Sequence, residues 1–295
     1  MKLIFDLQGR FGNHFFIISA MIYAIKKYNV ECKIYIPDYV LGYHNDVKLS
    51  LSYIYNSLNE FRIYEIPNNV LYSADLNCYN LDGELNLDKL INDNINTDNT
   101  ILLAGEYFQD KKYFLKHKND IKKIFNINSN KINIYKENIS NNDVFISVRR
   151  GDFIDVKFYV LNENYYIDNY NKYFHGKNIY ISCDDIEWCK KNLTVNKFNE
   201  CKNIIYIENY TPIEIFLLSQ YFSNYICSNS TFSWACELNS IYENTNVIIV
   251  PNVCNSLARY NIINDTNIVC DLFLKENKKY IDLINNSESA IHNIR

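Results

Sequence analysis

The regular alternation of short apolar runs with amphipathic stretches constrains the fold of this chain more than any other feature. Residues 1–8 alternate apolar and polar side chains before Gly9, and apolar side chains then recur at helical spacing over residues 15–28. The order strand, glycine turn, helix is typical of the start of an α/β domain. Strands continue to alternate with helices along the chain, and this alternation predicts parallel sheets.

The remaining elements are predicted from the same patterns. In the first half, strands are expected at residues 32–36 and 101–104 and a helix at 111–125, whereas residues 43–100 are expected to be irregular. Residues 126–142 are rich in Asn and Lys without a clear period, and they form the candidate linker. In the second half, strands are expected at 144–148, 178–183, 204–207, 225–227 and 247–250, and helices at 165–173, 186–192, 212–220 and 232–239.

The length of 295 residues predicts two domains. We expect a Rossmann-like domain over residues 1–135, a second one over residues 140–270 and a helical tail over residues 271–295. Two doubly wound α/β domains of this kind would meet at a cleft, which is where the ligands of such sheets usually bind.

Composition disfavours several classes of protein. The net charge of −4 argues against a nucleic-acid or anionic-membrane binder, which needs a clustered basic surface. No apolar run approaches the roughly 20 residues that span a bilayer, and residues 1–8 lack the features of a signal peptide. The nine Cys are scattered and the five His isolated, which favours buried thiols over disulfides or a metal site. We therefore expect a cytoplasmic protein without a bound metal.

Scarce residue types gather in four loops that follow predicted strands. The chain has only seven Gly and two Trp, and by count six Arg, so these clusters carry the most information. The loops cover residues 9–14, 147–153, 182–188 and 228–234. The first has the sequence Gly9-Arg10-Phe11-Gly12-Asn13-His14. Its glycines let the backbone approach a ligand and present N–H groups to an anion, or they form a plain tight turn.

Two pairs of like charges mark the second and third loops. Arg149 and Arg150 are adjacent, so one guanidinium can enter the cleft while the other braces the loop. The planar fork of Arg suits phosphate oxygens, whereas a structural ion pair with Asp152 is the alternative. Asp184 and Asp185 can bind a metal, cap the following helix or accept hydrogen bonds from a base or ribose.

The fourth loop has the sequence Ser228-Asn229-Ser230-Thr231-Phe232-Ser233-Trp234. Its hydroxyls and the N–H groups of the following helix can hold an anion without a positive side chain, although Ser and Thr are also ordinary helix caps. The second, third and fourth loops all lie at strand ends within the second predicted domain, and together they predict a site for a phosphorylated nucleotide.

Five segments of the chain together resemble a known enzyme family. In order, they are Gly9-Arg10-Phe11-Gly12-Asn13, Gly105-Glu106-Tyr107-Phe108-Gln109 with Lys112-Tyr113-Phe114, Val148-Arg149-Arg150-Gly151-Asp152, Asp184-Asp185-Ile186-Glu187-Trp188 and Ser228-Asn229-Ser230-Thr231-Phe232-Ser233-Trp234. These segments, spread over about residues 1–251, resemble glycosyltransferase family 11, the α-1,2-fucosyltransferases. The first segment also resembles protein O-fucosyltransferases, but the segments that begin at Gly105 and Ser228 favour family 11.

The resemblance implies a GT-B-like α/β fold, in which two Rossmann-like doubly wound domains face a central cleft. It implies an inverting, metal-independent transfer of L-fucose from GDP-β-L-fucose to a sugar hydroxyl, by default O-2 of a terminal galactose. The partners would be GDP-fucose, bound mainly by residues 140–270, and a glycan acceptor on the side of residues 1–135.

The resemblance also implies roles for individual residues. Arg149 would contact the β-phosphate, Asp185 would hold the guanine, and Asn13 would reach the donor from the first domain. The predicted donor-binding set is Gly12, Asn13, Ser147, Arg149, Arg150, Asp185, Ser230, Thr231, Phe232 and Ser233. The chemistry requires stabilisation of negative charge on the leaving GDP, and Arg149 and the turn from Ser230 to Ser233 are the candidates for this role, with Arg149 as the catalytic residue. Asp152 is the candidate general base, with orientation of the Arg pair as its alternative role.

Two positions depart from the family pattern. Ser147 stands where the family usually has His, which puts donor affinity or base selectivity in question, and His14 stands where Gln is usual, on the acceptor side of its loop. The alternatives are a protein O-fucosyltransferase, a nucleotide-sugar-binding relative that has lost catalysis, and a transferase that uses another GDP-sugar. The acceptor loops are expected within residues 43–99.

Overall fold

Two parallel β-sheets with flanking helices make up the protein, as seen in a computed structural model. The structure describes residues 1–37, 58–79, 85–126, 132, 136–155, 160–240, 247–251 and 268–271. Residues 272–295 of the predicted tail, much of the candidate linker, and residues 43–57 and 80–84 of the region expected to hold the acceptor loops lie outside the described residues.

The first sheet lies within residues 2–103, and each of its strand pairs is parallel. Its strands are β1 (Lys2–Asp6), β2 (Glu31–Tyr35), β3 (Arg62–Ile63), β4 (Leu71–Tyr72) and β5 (Thr100–Leu103), in the order β3-β2-β1-β5-β4. The helices of this half are α1 (Phe11–Tyr28), α2 (Leu87–Asn94), α3 (Lys112–Leu115) and α4 (Lys118–Phe125), with a 3₁₀ turn at Ser73–Asp75. The central strand β1 leads directly through the glycine loop into α1.

The second sheet lies within residues 144–271, and it too is parallel throughout. Its strands are β6 (Val144–Val148), β7 (Ile179–Cys183), β8 (Ile204–Tyr206), β9 (Asn224–Ile226), β10 (Val247–Pro251) and β11 (Ile268–Asp271). The helices are α5 (Gly151–Asp155), α6 (Glu163–Tyr173), α7 (Ile186–Asn192), α8 (Pro212–Ser219) and α9 (Thr231–Leu238), with a 3₁₀ turn at Val195–Lys197.

The strand order of the second sheet is that of a Rossmann fold. From one edge to the other the order is β8-β7-β6-β9-β10-β11. Successive strands are therefore added outward in one direction from β6 to β8 and in the opposite direction from β9 to β11, so the order reverses between β6 and β9. Ligands of open α/β sheets bind at such a reversal, outside the carboxyl ends of the strands. The predicted α/β fold class with two Rossmann-like, doubly wound halves is confirmed, while the exact domain boundaries at residues 135, 140 and 270 remain predictions.

Two predictions about the first half were wrong. Residues 43–100 were expected to be irregular, but they contain β3, β4 and α2, whose first turn is capped by the Asn86 side chain accepting from Lys89 N at 3.0 Å. The helix expected at 111–125 is two helices, α3 and α4. The chain leaves α-helical hydrogen bonding at His117, whose N–H donates to Phe114 O, three residues back, at 3.0 Å.

A cluster of aromatic rings joins the two halves. Phe216 of α8 in the second half lies with its ring centroid 5.2 Å from that of Phe11, 5.3 Å from Phe15 and 5.6 Å from Phe125 of the first half. All four side chains are buried. Because large aromatic side chains bury much apolar surface, this cluster holds α1 of the first half against the second half.

Cysteine placement agrees with the expectation of buried thiols. Every Cys whose side chain the structure describes is a free thiol, and five of these seven are buried. Within the described part of the chain, no helix is both long and apolar enough to cross a membrane.

Candidate active site

The carboxyl ends of the two sheets meet at the loops that follow β1 and β6. Arg10, after β1, places Nη2 3.3 Å from Oδ2 of Asp152, after β6. Gly12, two residues further on, lies against the backbone of Thr231 and Phe232 at the start of α9. The glycine loop of the first half and three loops of the second half therefore converge at one place.

Arg149 lies between two carboxylates. Its Nη1 donates to Oδ2 of Asp184 at 2.5 Å, and its Nη2 donates to Oδ1 of Asp152. The guanidinium also lies over the ring of Phe153, with its central carbon 4.9 Å from the ring centroid. The side chain is only 16% exposed, so its orientation is fixed before any ligand arrives.

Arg150 is fixed in a different way from its neighbour. Its guanidinium carbon lies 3.9 Å from the ring centroid of Trp188, and its Nε donates to Oδ2 of Asp185 at 3.3 Å. The other carboxylate oxygen of Asp185 accepts from Trp188 N at 3.2 Å and caps α7. The capping role considered for one of the paired Asp thus belongs to Asp185, the residue also predicted to hold the guanine.

Asp184 is a residue of this site that sequence reasoning left without a role. Its Oδ1 accepts from Arg150 N at 2.8 Å while its Oδ2 accepts from Arg149. A Cβ at Gly151 would come within 2.6 Å of Asp184 Oδ2, so this contact requires glycine at residue 151. The signal was present in the sequence, because an Asp pair and an Arg pair follow neighbouring strands of a parallel sheet.

Arg10 is the second residue without a predicted role. It belongs to the glycine loop, and the scarcity of Arg in the chain is the sequence signal that marks it. In the structure it shares Asp152 with Arg149, so both carboxylate oxygens of Asp152 contact guanidinium groups. Three Arg and three Asp, listed together, then form one network: Arg10, Arg149, Arg150, Asp152, Asp184 and Asp185. This geometry favours the orienting role for Asp152 over that of a general base.

Gly12 packs the two halves together. A Cβ at this position would lie 2.4 Å from Phe232 N and 2.7 Å from the carbonyl carbon of Thr231. Both are backbone atoms and cannot move aside as a flexible side chain would. The backbone that approaches Gly12 is therefore that of α9, whereas the sequence had suggested a ligand.

Asn13 connects the glycine loop to the segment after β5. Its Oδ1 accepts from Gln109 Nε2 at 3.3 Å. A Cβ at Gly9 would lie only 2.3 Å from Nδ2 of Asn13, and Gly9 has φ of +73°. Space and backbone conformation therefore both require glycine at residue 9.

The hydroxyls of the fourth loop mostly stabilise the loop itself. Ser230 caps α9 by accepting from Phe232 N at 3.3 Å, and Ser233 Oγ accepts from Ser228 N at 3.0 Å. Thr231 and Phe232 lie in the first turn of α9 beside the glycine loop. Ser147 is buried within β6, two residues before Arg149, in register with Ser182 of β7.

His14 is fully buried in the first turn of α1. Burial lowers the pKa of His14 to about 3, and contact with the Gly9 carbonyl opposes this shift. That contact falls short of hydrogen-bond geometry, and neither ring nitrogen has a hydrogen-bond partner among the described residues. His14 is therefore a neutral, packed side chain in this structure.

Among the residues that the structure describes, no three His, Cys, Asp or Glu side chains are grouped so that they could hold a metal ion. The positive charge at the converging loops comes from Arg side chains.

Comparison with protein families identifies the chain. The family model described as glycosyl transferase family 11 matches residues 92–261, which is more than half of the chain. The protein belongs to glycosyl transferase family 11. The match includes four of the five segments that carried the resemblance, and the converging loops after β6, β7 and β9 all lie within it.

Two curated relatives of this glycosyl transferase family 11 protein come from Escherichia coli. One is an alpha-1,2-colitosyltransferase, 32% identical over 140 residues, which are 43% of this chain and 48% of the relative. The other is the O-antigen biosynthesis glycosyltransferase WbnK, 32% identical over 148 residues, or 43% of this chain and 47% of the relative. The matches thus span about half the length of the curated relatives.

Solved structures resemble this family 11 chain weakly. A family 9 glycosyl transferase from Veillonella parvula aligns with a TM-score of 0.43 at 8% identity, covering 95% of this chain and 89% of that one. A UDP-GlcNAc 2-epimerase from Methanocaldococcus jannaschii aligns with a TM-score of 0.39 at 14% identity, covering 92% and 88%.

Proposed function

We propose that this protein transfers L-fucose from GDP-β-L-fucose to a hydroxyl of an oligosaccharide with inversion, giving an α-1,2 linkage. The observation that carries the proposal is the Arg149 network at the strand-order reversal of a family 11 chain. Arg149 and Arg150 follow β6 at the point where a Rossmann sheet binds its ligand, and both are held in place. The relatives named for α-1,2 transfer and for O-antigen biosynthesis support the linkage and the class of acceptor.

The chemistry that the network can supply is stabilisation of the leaving group. Cleavage of the bond between the anomeric carbon and the phosphate oxygen leaves negative charge on GDP. Preorganised donors aimed at such charge typically contribute about 3–4 kcal/mol each to the transition state. Arg149 is preorganised by Asp152 and Asp184, so a diphosphate would exchange one of these carboxylates for its own oxygens. We assign no metal to this step, and the donor-binding set named from the sequence remains part of the proposal.

The first experiment is calorimetric titration of the protein with GDP and with GDP-fucose in EDTA, with UDP-galactose as the control ligand. We expect both guanine ligands to bind and UDP-galactose not to bind. Asp185→Ala should weaken GDP binding, while Asp120→Ala, the same change on the surface of α4, should not. Absence of guanine binding by the wild-type protein would refute the proposed donor.

A second candidate donor is a GDP-linked colitose, because one relative is named as a colitosyltransferase and because Ser147 replaces the usual His. Transfer assays with each donor separate the two candidates, and the product's linkage separates a glycan acceptor from a protein Ser or Thr. If GDP-fucose binds but is never cleaved, the protein is a nucleotide-sugar-binding relative without catalysis.

A further inference from the structure

Acidic side chains stand at the carboxyl ends of two neighbouring strands of the first sheet. Asp6 is the last residue of β1, and Glu106 follows β5, the strand that pairs with β1. Tyr107, next in the chain, is 39% exposed. The glycine loop that follows Asp6 reaches the Arg149 network, since Arg10, four residues after Asp6, contacts Asp152.

Asp6 is a buried acid at this edge of the sheet, and only one of its two carboxylate oxygens has a hydrogen-bond partner among the described residues. The residue is 7% exposed. Its Oδ2 accepts from the Gln8 side chain, whereas its buried Oδ1 has no hydrogen-bond partner among the described residues. A buried carboxylate oxygen without a donor is costly, and a catalytic role is one of the reasons for which proteins retain such groups. The structure supplies no internal reason for a carboxylate at this position.

The other acids near the cleft are already occupied. Asp152 contacts Arg149 with one oxygen and Arg10 with the other. Glu106 Oε1 accepts from Tyr79 Oη at 2.6 Å and from Ser73 Oγ at 3.5 Å. An acid that is to take a proton from a substrate needs an oxygen whose lone pairs are not already engaged, and Asp6 Oδ1, although buried, is such an oxygen.

The surroundings of Asp6 also suit a proton acceptor. Burial raises the pKa of the Asp6 carboxyl, and the hydrogen bond from Gln8 opposes this shift. On the neighbouring strands, Tyr35 of β2 is the register partner of Asp6. Burial, and to a lesser extent the negative charge of Asp6, raises the pKa of the Tyr107 hydroxyl after β5. No cation of the described residues contacts Asp6 to keep it ionised, so it can hold a proton more readily than an exposed Asp.

We propose that Asp6 binds the attacking hydroxyl of the acceptor sugar and takes its proton, with the Tyr107 ring stacking on the sugar. This rests on the proposed function. In the step, the acceptor oxygen forms a bond to the anomeric carbon of the donor sugar, and the bond from that carbon to the phosphate oxygen breaks. The electron pair of the broken bond stays on GDP beside Arg149. The hydroxyl proton goes to Asp6 Oδ1 and from there to water.

The test is Asp6→Asn, which keeps the shape of the side chain and an oxygen that can accept from Gln8. With GDP-fucose and N-acetyllactosamine as probes, we expect kcat to fall by about 10²- to 10⁴-fold. The affinity for GDP should not change, because the proposed role places Asp6 against the acceptor and not against the donor. The acidic limb of the pH profile of kcat/KM should disappear in the variant, a change that a merely structural role would not produce.

A second variant removes the acid altogether. In Asp6→Ala, azide should restore GDP release, because this anionic acceptor has no proton to lose. The matched control is Asp88→Asn, which removes a partly buried carboxylate of the same half that is bonded to Tyr23, Lys27 and Tyr28 near the opposite edge of the sheet. That variant should keep both kcat and the acidic limb.

The outcomes separate this inference from the proposed function. If the wild-type protein turns over and Asp6→Asn keeps the same kcat and the acidic limb of the pH profile, the role of Asp6 is overturned and the proposed function stays intact. Loss of GDP affinity in Asp6→Asn also overturns it, because Asp6 would then support the donor site. A wild-type protein that neither transfers nor hydrolyses GDP-fucose overturns the proposed function, and the role of Asp6 with it.

Discussion

Arg10 of the first half and Asp152 of the second half form an ion pair across the cleft, with Nη2 and Oδ2 3.3 Å apart. Asp152 also forms an ion pair with Arg149, so the same carboxylate links the glycine loop to the Arg residue proposed to stabilise the leaving group. The two side chains are about one-third exposed, at 33% and 38%. Pairs of this exposure add little to stability, which makes the link more important for alignment than for folding.

Arg10→Gln should therefore uncouple activity from stability. We expect the free energy of unfolding to change by less than about 1 kcal/mol. Turnover should fall by at least about tenfold, because Arg149 loses the alignment that a doubly paired Asp152 provides. Denaturant unfolding and GDP release measure the two effects. Lys2→Gln, which removes a surface ion pair with Glu31 inside the first half, should change neither. A large loss of stability in Arg10→Gln would contradict this explanation.

Arg149→Lys should lose most of its turnover while the fold survives. An ammonium group cannot donate to Asp152 and Asp184 from one planar fork as Arg149 does, so it cannot be oriented in the same way. We expect kcat to fall by about 10²- to 10³-fold, the usual effect of removing one donor to a developing charge. Circular dichroism and GDP-release kinetics provide the measurement.

The matched control for this change is Arg62→Lys, which alters an Arg of the first half that stacks on the Tyr64 ring at 4.5 Å. Its kinetics should stay close to those of the wild-type protein. A folded Arg149→Lys variant with unchanged kcat would show that the leaving group is stabilised elsewhere.

Gly12→Ala should separate the two halves. The added methyl group would meet backbone atoms of α9 at 2.4–2.8 Å. Overpacking of this kind typically costs about 1–3 kcal/mol, and here the relief must come from movement between the halves, so turnover should be lost as well. Gly176→Ala is the control, since Gly176 has φ of +70° but no atom closer than 3.9 Å to the place where the added methyl group would lie. It should lose some stability and keep its turnover.

His14→Gln should make the protein less sensitive to acid. The pKa of His14 is lowered to about 3 in the folded state, below the ordinary value of 6.5. Between these two values the unfolded chain binds a proton that the native chain does not, so stability is present above pH 6.5 and is lost as the pH falls toward 3. The contribution is up to about 1.4 kcal/mol per pH unit. Urea unfolding at a series of pH values should show a shallower acid slope for the variant, and equal slopes would refute the buried neutral state.

Much of the fold was predictable because its signals are local. The alternating apolar and polar residues before Gly9 and the helical spacing after it indicated β1 and α1. In the second half the bounds of the predicted strands and helices lie within two residues of the observed ones, whereas α5 and β11 were not predicted. The irregular reading of residues 43–100 was wrong because β3 and β4 have only two residues each, too short for a periodic pattern. The short helix α2 was hidden among Asn and Asp residues that also favour loops.

The candidate site was predictable as a set of residues and not as a set of contacts. Arg149, Arg150, Asp152 and Asp185 were selected because scarce or paired residue types follow strands, and the structure brings all four together. Which Asp pairs with which Arg depends on the register of β6 against β7, which the sequence does not state. The importance of Asp184 follows from that register.

The sequence by itself determined the α/β class, the two parallel sheets and the loops that carry charge, because strand and helix periods and turn residues act over a few neighbours along the chain. Only the tertiary structure decided that Gly12 packs against α9, that Arg10 reaches Asp152 and that Asp6 keeps a carboxylate oxygen without a partner. These contacts join segments about 140 to 220 residues apart or depend on burial between strands, and they form only when both sheets have packed.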